Sequence, residues 1–152
     1  MFHTVYLSLG TNLGDKEHNL LSAIAEIGRR IGPVRAQSAF LSTEPWGFES
    51  ENTFLNAAIR VETELSPNAL LRVTQQIERE MGRTQKSIPT SDLSPQTSLP
   101  IYHDRIIDID ILLYDDLHIT TKKLTIPHPR MYERDFVLIP LREILLQKEL
   151  KQ

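Results

Sequence analysis

The chain has 152 residues, 24% of them charged, with a formal net charge of -3. That length suits one domain with a substantial core, and the acidic balance argues against broad electrostatic binding to nucleic acid. There is no cysteine, which excludes a disulfide scaffold, a thiolate nucleophile and a cysteine metal site. The first residues carry no basic segment or long apolar core, and every apolar run is too short to cross a bilayer, so the expectation is a cytoplasmic protein without a membrane partner.

Phe2 to Leu9 alternates weakly and reads as a first strand. Gly10-Thr11-Asn12-Leu13-Gly14-Asp15 reads as a turn, with Asp15 the N-cap of a helix over 15–30. Leu20, Ile24, Ile27 and Ile31 give that helix an apolar stripe, and Gly32-Pro33 ends it. Residues 34–42 read as a second strand. In the strand from Phe54 to Val61, Leu55, Ala57, Ile59 and Val61 share one face and Phe54, Asn56, Ala58 and Arg60 the other. Ser66-Pro67 opens a second helix with an N-cap serine and a proline in its first turn. Leu70, Val73, Ile77 and Met81 form its stripe, and Gly82 reads as its stop.

Residues 84–104 hold several prolines and no glycine, and show no period. A loop of this length inside a compact domain reads as a lid or binding loop. The run Asp104-Arg105-Ile106-Ile107-Asp108-Ile109-Asp110-Ile111-Leu112-Leu113 then reads as a buried strand. Residues two apart on a strand share a face, so Asp108 and Asp110 present two carboxylates together while Ile107, Ile109 and Ile111 face the other way. Paired anions at the edge of a core call for a positive partner. Magnesium suits them, because it prefers oxygen ligands and takes several from a phosphate substrate. Short strands over 117–119 and 123–126, a break at Pro127-His128-Pro129, a short helix or buried turn over 136–144 and a tail over 147–152 complete the chain. The order strand, helix, strand, strand, helix, strand implies an α+β fold, a ferredoxin-like two-layer sandwich with a mostly antiparallel sheet and helices packed on it. The whole chain reads as a single domain.

Several separated segments, in order, resemble 6-hydroxymethyl-7,8-dihydropterin pyrophosphokinases. They are Tyr6-Leu7-Ser8-Leu9-Gly10-Thr11-Asn12-Leu13-Gly14; Ser42-Thr43-Glu44-Pro45-Trp46-Gly47 with Phe54-Leu55-Asn56-Ala57; and Gln75-Gln76-Ile77-Glu78-Arg79-Glu80-Met81-Gly82-Arg83. Further along come Arg105-Ile106-Ile107-Asp108-Ile109-Asp110, and Ile126-Pro127-His128-Pro129-Arg130-Met131 leading to Arg134-Asp135-Phe136-Val137-Leu138. The resemblance spans nearly the whole chain apart from residues 84–104 and the tail. It implies transfer of a pyrophosphoryl group from ATP to the hydroxymethyl group of the reduced pterin, with release of AMP, by a monomer with small-molecule partners.

By this resemblance Asp108 and Asp110 hold two Mg2+ ions, which clamp the triphosphate and orient the acceptor hydroxyl. Arg83 and Arg105, at either end of the lid, become catalytic arginines whose planar forks grip phosphate. Strict alternation puts Arg105 on the face opposite the aspartates, so Arg105 is expected to precede the regular strand. His128 and Arg134 contact ATP phosphates, while Gln75 and Glu78 lie near the nucleotide. The adenine occupies an apolar slot near Leu71, Ile111 and Thr125. The pterin ring lies between Phe54 and Phe136, with Asn56 reading its edge and Thr43, Pro45 and Trp46 lining its loop. Taken alone, Phe54 and Phe136 read as core residues, His128 as structural and the arginines as surface ion pairs.

The chain departs from the family pattern in a longer lid, in Tyr102-His103-Asp104 before Arg105, and in Pro129 where an aromatic is common. Lys86, inside the lid, is a further candidate for phosphate contact. Two rival readings remain open on the residues: a metal-dependent phosphodiesterase using the same aspartates, and a non-catalytic RNA-binding module on the same fold. No aromatic-rich RNA-recognition strand is present to favour the second.

Overall fold

A computed structural model of the protein describes residues 2–43, 53–85 and 106–150. Its central strand is β1 (His3–Thr11), buried from Val5 to Thr11. Such continuous burial requires neighbours on both edges and layers on both faces, and β1 has them. It pairs antiparallel with β4 (Phe54–Thr63) on one side and β5 (Asp108–Tyr114) on the other. Strand β2 (Val34–Gln37) adds to β4, giving the order β2-β4-β1-β5, and β3 (Leu41–Thr43) pairs with the start of β4. This order is that of the split βαβ, ferredoxin-like arrangement.

Helix α1 (Lys16–Arg30) starts where Asp15 Oδ1 accepts the His18 backbone N–H at 3.2 Å. A cap of this kind contributes about 1 kcal/mol. Helix α2 (Pro67–Gln85) follows Ser66, whose Oγ accepts from Ala69 N at 3.2 Å. The stripes of both helices pack on one sheet face: Leu20, Ile27, Leu70 and Ile77 join Leu7, Leu9, Ala57, Ile59, Val61, Ile109 and Ile111 in the main core. The opposite face carries a smaller cluster, in which Tyr6, Ala58 and Leu112 meet Val137, Leu141 and Ile144 of α3 (Asp135–Leu150). Helix α3 thereby adds a layer to the two-layer core. A hairpin of β6 (Ile119–Thr120) and β7 (Thr125–Ile126) follows β5, and the Ile126-Pro127 peptide is cis.

The antiparallel α+β architecture and the facing of β4 and β5 agree with the sequence reading. Several local boundaries do not. Gly10 and Thr11 continue β1 instead of forming a turn, because both pair with β4. The strand expected over 34–42 is interrupted: Ser38 exchanges backbone bonds with Ala58 through its own N–H and its side chain, and Ala39 N donates to Glu143 of α3. Helix α2 runs past Gly82 to Gln85, and α3 extends to Leu150 over what reads as a tail. The regular Asp-bearing strand starts only at Asp108 and ends at Tyr114. Leu112 follows Asp108 and Asp110 onto the α3 face by alternation, but a bulge opposite Tyr6/Leu7 then puts Leu113 on the same side and Tyr114 in the main core, a shift that alternation alone does not foresee.

Candidate active site

The register of three strands brings the site together. Gly10 of β1 lies opposite Asn56 of β4 on one side and opposite Asp108 of β5 on the other. Asn56, Gly10 and Asp108 form a row across the sheet, and Ala58, Ser8 and Asp110 form the next. Residues aligned across adjacent strands share a face, so Asn56, Asp108 and Asp110 all project on the α3 side. Phe54 shares that face by alternation along β4.

Gly10 is what keeps the row open. A Cβ built there would sit 2.9 Å from Asn56 Oδ1 and 4.0 Å from a Phe54 ring carbon. A glycine inside a strand marks close approach of something to the backbone, and here the amide of Asn56 occupies that space. Asn56 is 3% exposed and donates through Nδ2 to Thr43 Oγ1 at 3.0 Å. That bond ties β3 to β4 and sets the amide plane. An amide has two N–H donors and an accepting oxygen, so the Thr43 bond uses only part of its capacity. Just before Phe54, Lys16 of α1 donates to the Thr53 carbonyl at 3.0 Å and steadies the entry to β4.

At the other end of the row, Asp108 and Asp110 are half-buried on the outer strand of the sheet. Among the described residues no third histidine, cysteine, aspartate or glutamate joins them. Two oxygen donors of this kind suit a hard cation that completes its shell with water and phosphate. They do not suit a structural zinc site, which wants four ligands of its own.

His128 lies beside this edge. Its backbone N–H donates to Leu112 O at 3.0 Å, which holds the Pro127-His128-Pro129 turn against β5. Burial, and then the Arg134 charge, hold its imidazole below the ordinary value of 6.5, against a smaller opposing pull from Asp108. The neutral ring is therefore favoured. Its Nδ1 accepts the Arg130 backbone N–H at 3.2 Å, which leaves the proton on Nε2. Arg134 ends the turn before α3, and its guanidinium stands over the Phe136 ring at 5.6 Å from the centroid. A cation over an aromatic face at this range is attractive. Phe136 packs against the smaller core cluster of the α3 face.

A cavity of about 220 Å³ lies against β5, lined there by Ile109, Asp110 and Ile111. Leu71, Ile111 and Thr125, the three residues expected around an adenine, line it together with Asp110 and His128. Lys122 and Lys123, both exposed, also line it. Sequence reading passed over both lysines, although a Lys-Lys pair a few residues before Pro127-His128 is a visible signal for an anionic ligand. It also took Gly10 for a turn residue; the signal there was a glycine at a regular position of an alternating strand.

Not every expected residue joins the cluster. Gln75 is exposed on α2. Glu78 is turned to β5, where its Oε2 accepts the Ile109 backbone N–H at 2.6 Å. Arg83 falls within the last turn of α2 instead of after a helix stop, and its side chain lies outside the described residues. Pro45, Trp46, Lys86, Tyr102-His103-Asp104 and Arg105, with the 84–104 lid apart from the end of α2, also lie outside them.

The antiparallel sheet thus carries twin carboxylates on its outer strand and a buried amide on the far side of β1. Residues 6–146 match the family model for 7,8-dihydro-6-hydroxymethylpterin-pyrophosphokinase. The chain belongs to this family and is an ATP-dependent pyrophosphokinase. A 2-amino-4-hydroxy-6-hydroxymethyldihydropteridine pyrophosphokinase of Porphyromonas gingivalis is 49% identical over 142 residues, covering 92% of this chain and 89% of that protein. A protein of the same name from Bacillus subtilis is 41% identical over 150 residues, covering 98% and 82%. Among solved structures, one described as HPPK-DHPS in complex with substrates superposes with a TM-score of 0.65 at 15% identity, over 95% of this chain and 40% of that longer one. That likeness speaks for the fold.

Proposed function

We propose that this protein transfers the terminal pyrophosphoryl group of ATP to the hydroxymethyl group of 6-hydroxymethyl-7,8-dihydropterin, with Mg2+, releasing AMP, as a step of folate biosynthesis. The observation that carries the reading is the row Asn56, Gly10, Asp108 across β4, β1 and β5. It sets an amide suited to a heterocycle edge across one intervening strand from a carboxylate suited to a metal–phosphate group. Family membership and the names of the relatives supply the substrates.

Asn56, held by Thr43, reads the pterin edge, and Phe54 and Phe136 flank the ring. Asp108 and Asp110 would hold the Mg2+ ions, whose chemistry when bound is to neutralise the triphosphate and lower the cost of charge on the transferring group. The β5 cavity takes the adenosine against Leu71, Ile111 and Thr125, with Lys122 and Lys123 toward its anionic side. His128, with its proton on Nε2, and Arg134 donate to phosphate oxygens. Arg83 and Arg105 serve the same charge from the lid. The acceptor oxygen attacks the β-phosphorus and gives up its proton to solvent, the bond from that phosphorus to the α-phosphate bridging oxygen breaks, and AMP departs with that oxygen. No covalent enzyme intermediate is called for, which agrees with catalysis by positioning and electrostatics.

The test is incubation with ATP, Mg2+ and the hydroxymethyl-dihydropterin, followed by assay of AMP. Pterin-dependent AMP and a diphosphorylated pterin are expected. Pterin-independent hydrolysis would replace this reading with that of a phosphodiesterase.

A further inference from the structure

Strand β5 is the outer strand of its sheet and is hydrogen-bonded to β1 along one side only. In an antiparallel pair, successive residues send their backbone groups alternately toward the partner and away from it. The Ile109 N–H points away, to Glu78 Oε2 on α2 at 2.6 Å. The backbones of Asp108 and Asp110 then turn inward, opposite Gly10 and Ser8. The segment joining the two aspartates is gripped by the sheet on one side and by a helix carboxylate on the other. A hydrogen bond to a carboxylate is short and about twice as strong as one between neutral groups.

Glu78 does not join a metal-holding group, because no three such side chains converge among the described residues. It reaches the strand edge from α2, which packs on the sheet face opposite the one from which the aspartates project. Two neighbouring carboxylates repel each other when no cation lies between them, and β5 has a paired strand along one edge only to resist that push, with single bonds from Ile109 to Glu78 and from His128 to Leu112 on the other.

We infer that Glu78 is a positioning residue: by pinning the Ile109 amide it fixes the spacing of Asp108 and Asp110 and so sets the affinity for the divalent cation. This rests on the proposed assignment of the two aspartates as the metal-holding pair. Groups that orient metal ligands without touching the metal typically govern affinity by about 10- to 100-fold, and that is the range expected here.

The test is Mn2+ binding to the full chain, followed by water-proton relaxation, alongside amide hydrogen exchange at Ile109 and thermal melting. Glu78→Ala is expected to weaken Mn2+ binding at least about tenfold and to speed exchange at Ile109. Glu78→Asp keeps the charge but falls one methylene short of the amide, so it is expected to behave like Glu78→Ala. Glu78→Gln keeps an accepting carbonyl within reach and should recover most of the affinity; it also serves if the alanine variant does not fold. Unchanged Mn2+ affinity in a folded Glu78→Asp or Glu78→Ala protein, with faster Ile109 exchange, would overturn the inference and leave Glu78 as a seal on the sheet edge. A Glu78→Gln protein as impaired as Glu78→Asp would also overturn it. Asp108→Ala is the separate control: if it binds Mn2+ as well as the parent chain, the metal assignment itself falls.

Discussion

At the β4 end of the Asn56–Gly10–Asp108 row, the amide is 3% exposed and already bonded to Thr43. At the β5 end, Asp108 and Asp110 are half-buried on an outer strand, beside a cavity that Lys122 and Lys123 help to line. The first is a preorganised hydrogen-bonding surface, where a ligand lacking the right partner leaves a buried amide unsatisfied. The second is an electrostatic surface, which in the proposed reaction would handle the charge that changes and take up its cation from solvent. In the proposed reaction specificity and charge stabilisation are thus separated by one strand, β1, whose Gly10 leaves room for the Asn56 amide.

The comparison can be broken most strongly at the charged end. Asp108→Ala or Asp110→Ala should lower turnover about 100- to 1,000-fold, equivalent to about 2.7–4 kcal/mol of lost charge stabilisation. Little change in melting is expected, because neither side chain belongs to a core cluster. Near-parental turnover in Mg2+ would remove the metal assignment.

Gly10→Ala probes the room left for the Asn56 amide. The added methyl would sit 2.9 Å from Asn56 Oδ1, so the amide must move, and a displacement of about 1 Å can cost about 100-fold. The loss should fall on kcat/KM for the pterin, with ATP binding measured by calorimetry little altered. An equal loss for both substrates would mean that the two ends are not separable. Thr43→Val sharpens the same point more gently. Removing one hydrogen bond of about 0.5–1.5 kcal/mol should raise the pterin KM by about two- to tenfold and leave the ATP KM alone.

The smallest effect concerns pH. His128 is held below 6.5 in the folded chain, so as pH falls through about 6.5 the unfolded chain takes up a proton that the folded one resists. Stability should therefore decline between about pH 7 and pH 5, with no contribution from this group at higher pH. Comparing melting curves of the parent and His128→Asn across that range checks it: the variant should show a shallower decline, and an identical slope would rule the histidine out as its source.

Much of this was legible in the residues because the signals are local. The stripe of Leu70, Val73, Ile77 and Met81, the two faces of Phe54 to Val61 and the shared face of Asp108 and Asp110 follow from the fixed periods of helix and strand. Asp15 and Ser66 mark helix starts by their chemistry. The misplaced boundaries are those where a distant partner intervenes. Gly10 and Thr11 remain in a strand because β4 pairs with them, and Ser38 breaks an edge strand by bonding to Ala58 while Glu143 takes the next amide.

The sequence by itself determined which side chains share a face and which carry the chemistry, since both depend on spacing along one element. Only the tertiary structure decided what those faces meet. Strand register set Asn56 and Asp108 on either side of Gly10, and the open edge of β5 gave Glu78 an amide to hold. Folding of the hairpin onto β5 brought Lys122 and Lys123 to the cavity. Register and edge contacts arise from pairings between residues tens of positions apart, which no local period encodes.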